Sequence, residues 1–248
     1  VGAQRCGTTW WWRLLCHHPL IRPAPAKELH YFDPFFRKRF DDEDVEAYHD
    51  LFRRPDGALS GEWTPRYMHD FWTPALLARA APEARLLVLL RDPMARYLSG
   101  IRHEMGRLRR QVWRPRYREH VRAMIAADAL SRSLYAAQLE RLFRHFDRSR
   151  ILILQYERCV SDPLAELRRT YEFIGLEMPE DLAPGFSQRL GRSHPPVATG
   201  DEAIAVAAAE IQRDAARLAR LAPELDLGLW PSCRPSEPVV DRPELRAR

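Results

Sequence analysis

The run Gly2-Ala3-Gln4-Arg5-Cys6-Gly7-Thr8-Thr9 has the spacing of a loop that holds phosphate: two glycines separated by four residues, followed by hydroxyl side chains. Thr8 stands where such loops usually carry lysine, and the cation is instead Arg5, inside the loop. Backbone N–H groups at a turn entering a helix point at a bound anion, and the helix dipole adds to the attraction. The chemistry this suits is transfer of an anionic group, with Arg5 neutralising charge that develops on an oxygen as the group leaves. A preorganised donor of that kind is worth about 2.7 to 4 kcal/mol of transition-state stabilisation. A tight turn that holds no ligand has the same glycine and threonine spacing.

The loop must be carried by a strand and a helix. Val1 to Ala3 reads as a strand end, and Thr8 to His17 as a helix with apolar faces, so Gln4 to Gly7 is the turn between them. Three prolines between Pro19 and Pro25 break that helix and lead to Lys27-Glu28-Leu29-His30-Tyr31-Phe32, expected as a short extended segment. Residues 34 to 56 read as a charged helical excursion. Leu86 to Leu90 and Ile151 to Gln155 are continuous apolar runs of the kind that form strands buried on both faces. Helices are expected at Pro74 to Ala81, after Arg91-Asp92-Pro93, at Ser131 to Phe146 and at Pro163 to Ile174. Strands alternating with helices imply an α/β fold, P-loop-like and three-layered, with a central parallel sheet flanked by helices and ligands at the carboxyl ends of its strands. One domain spanning 1–248 is expected, with a proline-rich tail from about 231 lying loosely on the surface.

Composition narrows the partners. Net charge is +5 and the isoelectric point about 9.2, compatible with nucleic acid, an anionic membrane or a small polyanion. Lysine occurs only at Lys27 and Lys38, so arginine takes nearly every basic position. Arg102 to Arg122 carries eight arginines interleaved with Trp113 and Tyr117, which would also suit single-stranded nucleic acid; a solvated helix face or an acceptor-side lid is the more economical reading, and no nucleic-acid partner is expected. Cys6, Cys16, Cys159 and Cys233 lack metal-site or disulfide spacing and read as buried thiols. No transmembrane run is present in the sequence shown. The chain begins without methionine in mid-strand, so a preceding segment is expected, and a cytoplasmic location is favoured over a Golgi lumen reached by a missing anchor.

Arg5-Cys6-Gly7-Thr8-Thr9-Trp10 resembles the signature of the PAPS-dependent sulfotransferases, enzymes that use 3′-phosphoadenosine 5′-phosphosulfate as donor. The resemblance implies that Arg5, Cys6, Gly7, Thr8, Thr9 and Trp10 form the 5′-phosphosulfate loop. Leu90-Arg91-Asp92-Pro93-Met94-Ala95-Arg96-Tyr97-Leu98-Ser99 is similar to the family's strand, turn and helix that grip the donor's 3′-phosphate through arginine and serine, here Arg91 and Ser99. That separation is physically sensible, since an arginine at a strand end and a serine two turns into the next helix can meet one phosphate.

Lys27-Glu28-Leu29-His30-Tyr31-Phe32-Asp33 is similar to a segment of the heparan sulfate branch, and implies that Glu28 is the general base for the acceptor, with His30 orienting it or substituting. Lys27 is expected to touch donor or acceptor. Glu62-Trp63-Thr64-Pro65-Arg66-Tyr67 resembles another branch segment, but Trp63 replaces its lysine, offering an aromatic platform for the acceptor or a core residue. Arg189-Leu190-Gly191-Arg192-Ser193-His194-Pro195 resembles the loop that closes over the donor, with Gly191, Arg192, Ser193 and His194 as its donor-binding residues and Leu190 in place of lysine. Ser133 to Leu139, Tyr156-Glu157 and Asp162-Pro163 match as structural pieces.

The implied reaction is metal-free transfer of the sulfuryl group from PAPS to a hydroxyl or amine, on a carbohydrate before other acceptors, with PAP as product. A P-loop kinase-like phosphotransferase remains an alternative, against which stand the missing loop lysine and Arg91 where a nucleotidase strand would present an acidic magnesium ligand. A noncatalytic polyanion-binding domain is the other.

Overall fold

A computed structural model describes residues 1–53, 57–108, 118–181 and 199–234. Its centre is a small parallel sheet. Strand β3 (Leu86–Leu90) pairs in register with β4 (Ile151–Gln155), Leu86 opposite Ile151 and Leu90 opposite Gln155. The opening segment Val1–Ala3 adds to the other edge of β3: the Ala3 amide donates to the Leu89 carbonyl at 2.8 Å, and the Leu89 amide to the Gly2 carbonyl at 2.8 Å. Both apolar runs thus form the buried parallel strands expected of them. A second parallel pair joins β1 (Ile21–Pro23) to β2 (Leu59–Gly61).

Helices flank the sheet. Helix α1 (Thr8–Leu15) follows the first loop and packs against α8 (Pro163–Ile174), where the Trp11 indole donates to Thr170 Oγ1 at 3.2 Å and the Tyr171 hydroxyl to the Leu14 carbonyl at 3.1 Å. Asp162 accepts from the Ala165 amide to cap α8, and Gly175 ends it at φ +81°. Helix α2 (Asp42–Asp50) starts in a capping box between Asp41 and Asp44, and α3 (Thr73–Ala80) precedes β3. Helix α4 (Pro93–Leu108) leaves β3 and packs on α5 (Arg118–Ser131) through Tyr97, Ile101, Ile125 and Ala129. Helix α6 (Ala136–His145) precedes β4, and α7 (Tyr156–Ser161) opens directly at its end. Helix α9 (Asp201–Leu221) lies against α4 and α6, and Asp214 caps α6 by accepting from the amides of Tyr135 and Ala136 at 2.7 and 3.1 Å. No described helix is long and apolar enough to cross a membrane.

Four expectations change. The helix expected over Ser131 to Phe146 is two: α5 ends at Ser131, the chain turns, and α6 starts at Ala136. The charged excursion after residue 34 holds a 3-10 turn at Asp33–Phe36 and only the nine residues of α2. Lys27 to Phe32 forms no strand; it bends, with His30 at φ +55°. Finally, the start of the proline-rich tail is anchored and not loose. Trp230 is fully buried, the Ser232 amide donates to Asp92 Oδ2 at 3.0 Å, and Gln212 Nε2 donates to the carbonyls of Ser232 and Arg234.

Candidate functional site

Three parallel segments ending side by side deliver Gln4–Gly7, Arg91–Asp92 and Tyr156 to one edge of the sheet. In the first loop Arg5 (φ +71°) and Gly7 (φ +88°) are both left-handed. At Gly7 only glycine fits twice over, since an added Cβ would lie 2.7 Å from the Tyr156 ring. The Cys6 amide donates to the Ala3 carbonyl and the Trp10 amide to the Gly7 carbonyl. Among the described residues no acceptor meets the amides of Gly7, Thr8 and Thr9, the orphan donors of a helix start. Such an array of amides has the geometry that suits an anion.

The Arg5 side chain crosses to α4. Its Nε donates to Ser99 Oγ at 3.2 Å, and its Nη1 lies 3.4 Å from His103 Nδ1. Arg91 stacks its guanidinium 5.1 Å from the centroid of the Tyr156 ring, and no carboxylate pairs with it among the described residues. Burial first, and then the charge of Arg91, hold the Arg5 guanidinium below its ordinary arginine value. The mutual repulsion of two cations that lack carboxylate partners among the described residues would be relieved by an anion between them.

The Arg91 turn is fixed from behind. The Tyr135 hydroxyl donates to the Arg91 carbonyl at 2.9 Å, the Asp92 amide donates to Glu157 Oε1 at 3.0 Å, and the Trp230 indole donates to Glu157 Oε2 at 2.7 Å. Asp92 Oδ1 accepts from the Ala95 amide at 2.8 Å and starts α4. Beneath the loop lies Arg96, 1% exposed, which donates to the Gln4 carbonyl at 3.0 Å, the Ala129 carbonyl at 2.6 Å and Ser133 Oγ at 3.3 Å.

A second cluster surrounds Glu28, whose carboxylate pairs with Lys27. His30 stands between two acids, with Nε2 3.5 Å from Glu28 Oε2 and Nδ1 3.1 Å from Asp33 Oδ2. The left-handed turn at His30 lets its ring face both. Around them the Leu29 amide donates to Thr64 Oγ1 at 3.1 Å, Thr64 donates to Glu62 Oε2 at 2.9 Å, and the Tyr48 hydroxyl donates to Glu62 Oε1 at 2.8 Å. Burial pushes the Glu62 carboxyl above the usual carboxylate range. The Trp63 amide donates to the Lys27 carbonyl at 3.2 Å, and the Met68 amide to the Val1 carbonyl at 3.0 Å, tying this cluster to the edge of the sheet. No hydrogen bond or ion pair joins Glu28 or His30 directly to Arg5 or Arg91 among the described residues.

Several expected site residues take other roles. Trp63 is 6% exposed and packed in the core, so its ring has no open face for stacking. The Trp10 ring is likewise buried, in edge contact with Trp11 and Tyr156, and its amide donates to the Gly7 carbonyl. The Cys6 side chain faces inward, its Sγ 3.6 Å from the Tyr135 hydroxyl, and burial pushes its thiol up to about 11. Gly191, Arg192, Ser193 and His194 lie outside the described residues, as does most of the arginine-rich stretch that follows α4.

Sequence reasoning passed over Asp33, Tyr156 and Arg96. Asp33 sits three residues after His30, a spacing that could have flagged it. Nothing local marks Arg96, because its partners come from the first loop, from α5 and from the α5–α6 turn. No group of three or more His, Cys, Asp or Glu is arranged to hold a metal ion among the described residues.

The model of the sulfotransferase family matches residues 61–180. Mouse heparan sulfate glucosamine 3-O-sulfotransferase 3A1 is 31% identical over 188 residues, covering 71% of this chain and 45% of that protein. Mouse bifunctional heparan sulfate N-deacetylase/N-sulfotransferase 4 is 25% identical, over 71% of this chain and 22% of its own length. The chain thus spans under half the length of these curated relatives. The crystal structure of a sulfotransferase from Alicyclobacillus acidocaldarius superposes with a TM-score of 0.71 at 29% identity, over 93% of this chain and 96% of that one. The sulfotransferase domain of the Synechococcus PCC 7002 olefin synthase, 19% identical over 91% and 93% of the two chains, shares the fold with a TM-score of 0.58.

Proposed function

Because the chain belongs to the sulfotransferase family, we propose that it moves the sulfuryl group of PAPS onto a hydroxyl or amine of a carbohydrate acceptor. The observation that carries this reading is the convergence of Arg5, Arg91 and Ser99 on a loop with three free amides. Two cations without carboxylate partners among the described residues suit a ligand with several negative charges, such as a nucleotide phosphorylated at both ends. The names of the heparan sulfate relatives support a carbohydrate acceptor.

The donor's 5′-phosphosulfate then lies on the amides of Gly7, Thr8 and Thr9 with Arg5, and its 3′-phosphate between Arg91 and Ser99. The acceptor O–H gives its proton to the Glu28 carboxylate as its oxygen attacks sulfur. A new S–O bond forms, the bond from sulfur to the bridging phosphate oxygen breaks, and PAP leaves with that electron pair. Arg5 balances the charge that appears on the leaving oxygen. His30, held by Asp33, orients Glu28, and Lys27 pairs with the Glu28 carboxylate. The whole chain serves as one catalytic domain.

Calorimetric titration of PAP without magnesium, into the parent chain and Arg91→Ala, with ATP as the competing ligand, tests the donor site. Micromolar PAP binding that depends on Arg91 and exceeds ATP binding is expected. A folded chain that binds ATP better, or neither nucleotide, removes the reading.

A further inference from the structure

At the end of the Asp33–Phe36 turn the surface carries an aromatic cluster that the catalytic reading leaves unused. Phe36 is 54% exposed and Phe71 64% exposed, and with Trp72 they form one group. Phe36 lies 4.8 Å from Trp72 and 6.0 Å from Phe71, and Phe71 lies 5.2 Å from Trp72, centroid to centroid. A single exposed phenylalanine is unremarkable, but rings gathered by two distant segments into one open patch mark a binding surface. Leaving such rings in water forgoes about 1.5 to 3 kcal/mol each relative to burial.

The patch is continuous with the candidate base. Asp33 and Phe36 are the first and last residues of the 3-10 turn Asp33–Phe36. Residues three apart in such a turn share a face, at about 2 Å of rise per residue. Phe36 therefore lies along the same face as Asp33, which holds His30, which meets Glu28. The Trp72 indole donates to the Phe32 carbonyl at 3.0 Å and locks the other half of the cluster to the same turn.

Charge identifies the occupant. Arg37, Lys38 and Arg39 follow Phe36 directly, all exposed, and none pairs with a carboxylate among the described residues. The acids beyond them are largely engaged: Asp41 and Asp44 cap α2 and Asp42 pairs with Arg79 at 2.6 Å. Aromatic faces beside free cations match a ligand with flat apolar C–H faces and anionic substituents. We propose that Phe36, Phe71 and Trp72 are an acceptor subsite on which a ring of an acidic oligosaccharide stacks, with Arg37, Lys38 and Arg39 meeting its carboxylate or sulfate groups. This subsite rests on the carbohydrate-acceptor reading and adds to it the residues that would bind the acceptor away from Glu28.

The test is calorimetry with a size-defined heparin tetrasaccharide as probe, on the parent chain, Phe36→Ala/Phe71→Ala, Phe36→Tyr/Phe71→Tyr and Arg37→Ser/Lys38→Ser/Arg39→Ser. Each variant is also titrated with PAP. The alanine pair should bind the sugar about tenfold more weakly, with the tyrosine pair near the parent, because the ring faces are kept. The serine triple should lose most of the salt dependence, and PAP affinity should stay unchanged throughout.

Unchanged sugar affinity in the alanine pair overturns the subsite, as does equal binding of neutral maltotetraose. Binding that vanishes at about 1 M salt, where screening acts beyond about 3 Å, and ignores the rings also overturns it. A parent dimer that the alanine pair dissolves, seen by sedimentation, would make the patch a self-interface instead. Since sugar and nucleotide are titrated separately, loss of PAP binding with ring-dependent sugar binding intact sinks the transfer reading alone.

Discussion

Arg5 and Ser99, 94 residues apart in the chain, meet through a hydrogen bond of 3.2 Å from Nε to Oγ. That bond joins the first loop to the second turn of α4 and brings the two halves of the proposed donor site within one side chain of each other. Arg5→Ala should lower kcat about 100- to 1,000-fold, and Arg5→Lys should recover part of it. Ser99→Ala, which removes one hydroxyl to an ionised ligand, should weaken PAP by about tenfold while kcat at saturating donor stays near the parent. Steady-state kinetics with both substrates varied separate the two effects. Equal losses of kcat in both variants would contradict the division of roles.

Glu28→Gln keeps shape and removes the proposed base. It should reduce kcat by about 100- to 10,000-fold with PAP affinity intact. Asp33→Asn acts only through His30, so its loss should be smaller and should appear as a shifted pH profile of kcat. A profile for Asp33→Asn that superposes on the parent would leave Asp33 without a part.

Gly7→Ala meets two obstacles, the left-handed φ of +88° and the Tyr156 ring 2.7 Å from the new Cβ. A loss of about 1 to 3 kcal/mol in unfolding free energy is expected, with PAP binding strongly reduced. Tyr156→Ala in the same chain should restore stability in part, because it removes the clash but not the backbone strain. Urea unfolding of the single and double variants reads this directly.

Arg96 is a buried cation satisfied by two carbonyls and a hydroxyl. Arg96→Met should destabilise the fold by about 1 to 3 kcal/mol, since the Gln4 and Ala129 carbonyls lose a donor. Because one of those carbonyls belongs to the first loop, PAP affinity should fall even where the variant is fully folded. Arg96→Lys, which can reach some of the same acceptors, should regain more stability than affinity.

The Cys6 thiol is pushed by burial from 9.0 up to about 11. A folded value above the unfolded one means the native state holds the proton more tightly. The stabilisation is then complete below about pH 9 and is lost as pH rises from about 9 toward about 11. Cys6→Ala should therefore show a shallower alkaline decline in unfolding free energy than the parent, and native Cys6 should resist alkylation at neutral pH. An identical alkaline slope in both would contradict the buried thiol.

The sequence by itself determined the first loop as a turn between a strand end and α1, the ground on which the donor site is proposed. Such a loop is contiguous, its glycines and hydroxyls act through local backbone shape, and its arginine lies inside it. The flanking strands were legible for a similar reason, since Leu86–Leu90 and Ile151–Gln155 are apolar throughout and have one way to be buried. Where sequence reasoning erred, the deciding partner was far away in the chain. Whether Trp63 is a platform or a core residue depends on what packs over it, and the core cluster claims it. The tail was read as loose because proline discourages regular structure, yet Trp230 and Ser232 are pinned by Glu157 and Asp92. Only tertiary structure could give Arg96 its place under the loop, stand His30 between Glu28 and Asp33, or gather Phe36 with Phe71 and Trp72. Each of these depends on side chains brought together across long stretches of chain or by a single left-handed turn, and residue type alone encodes neither.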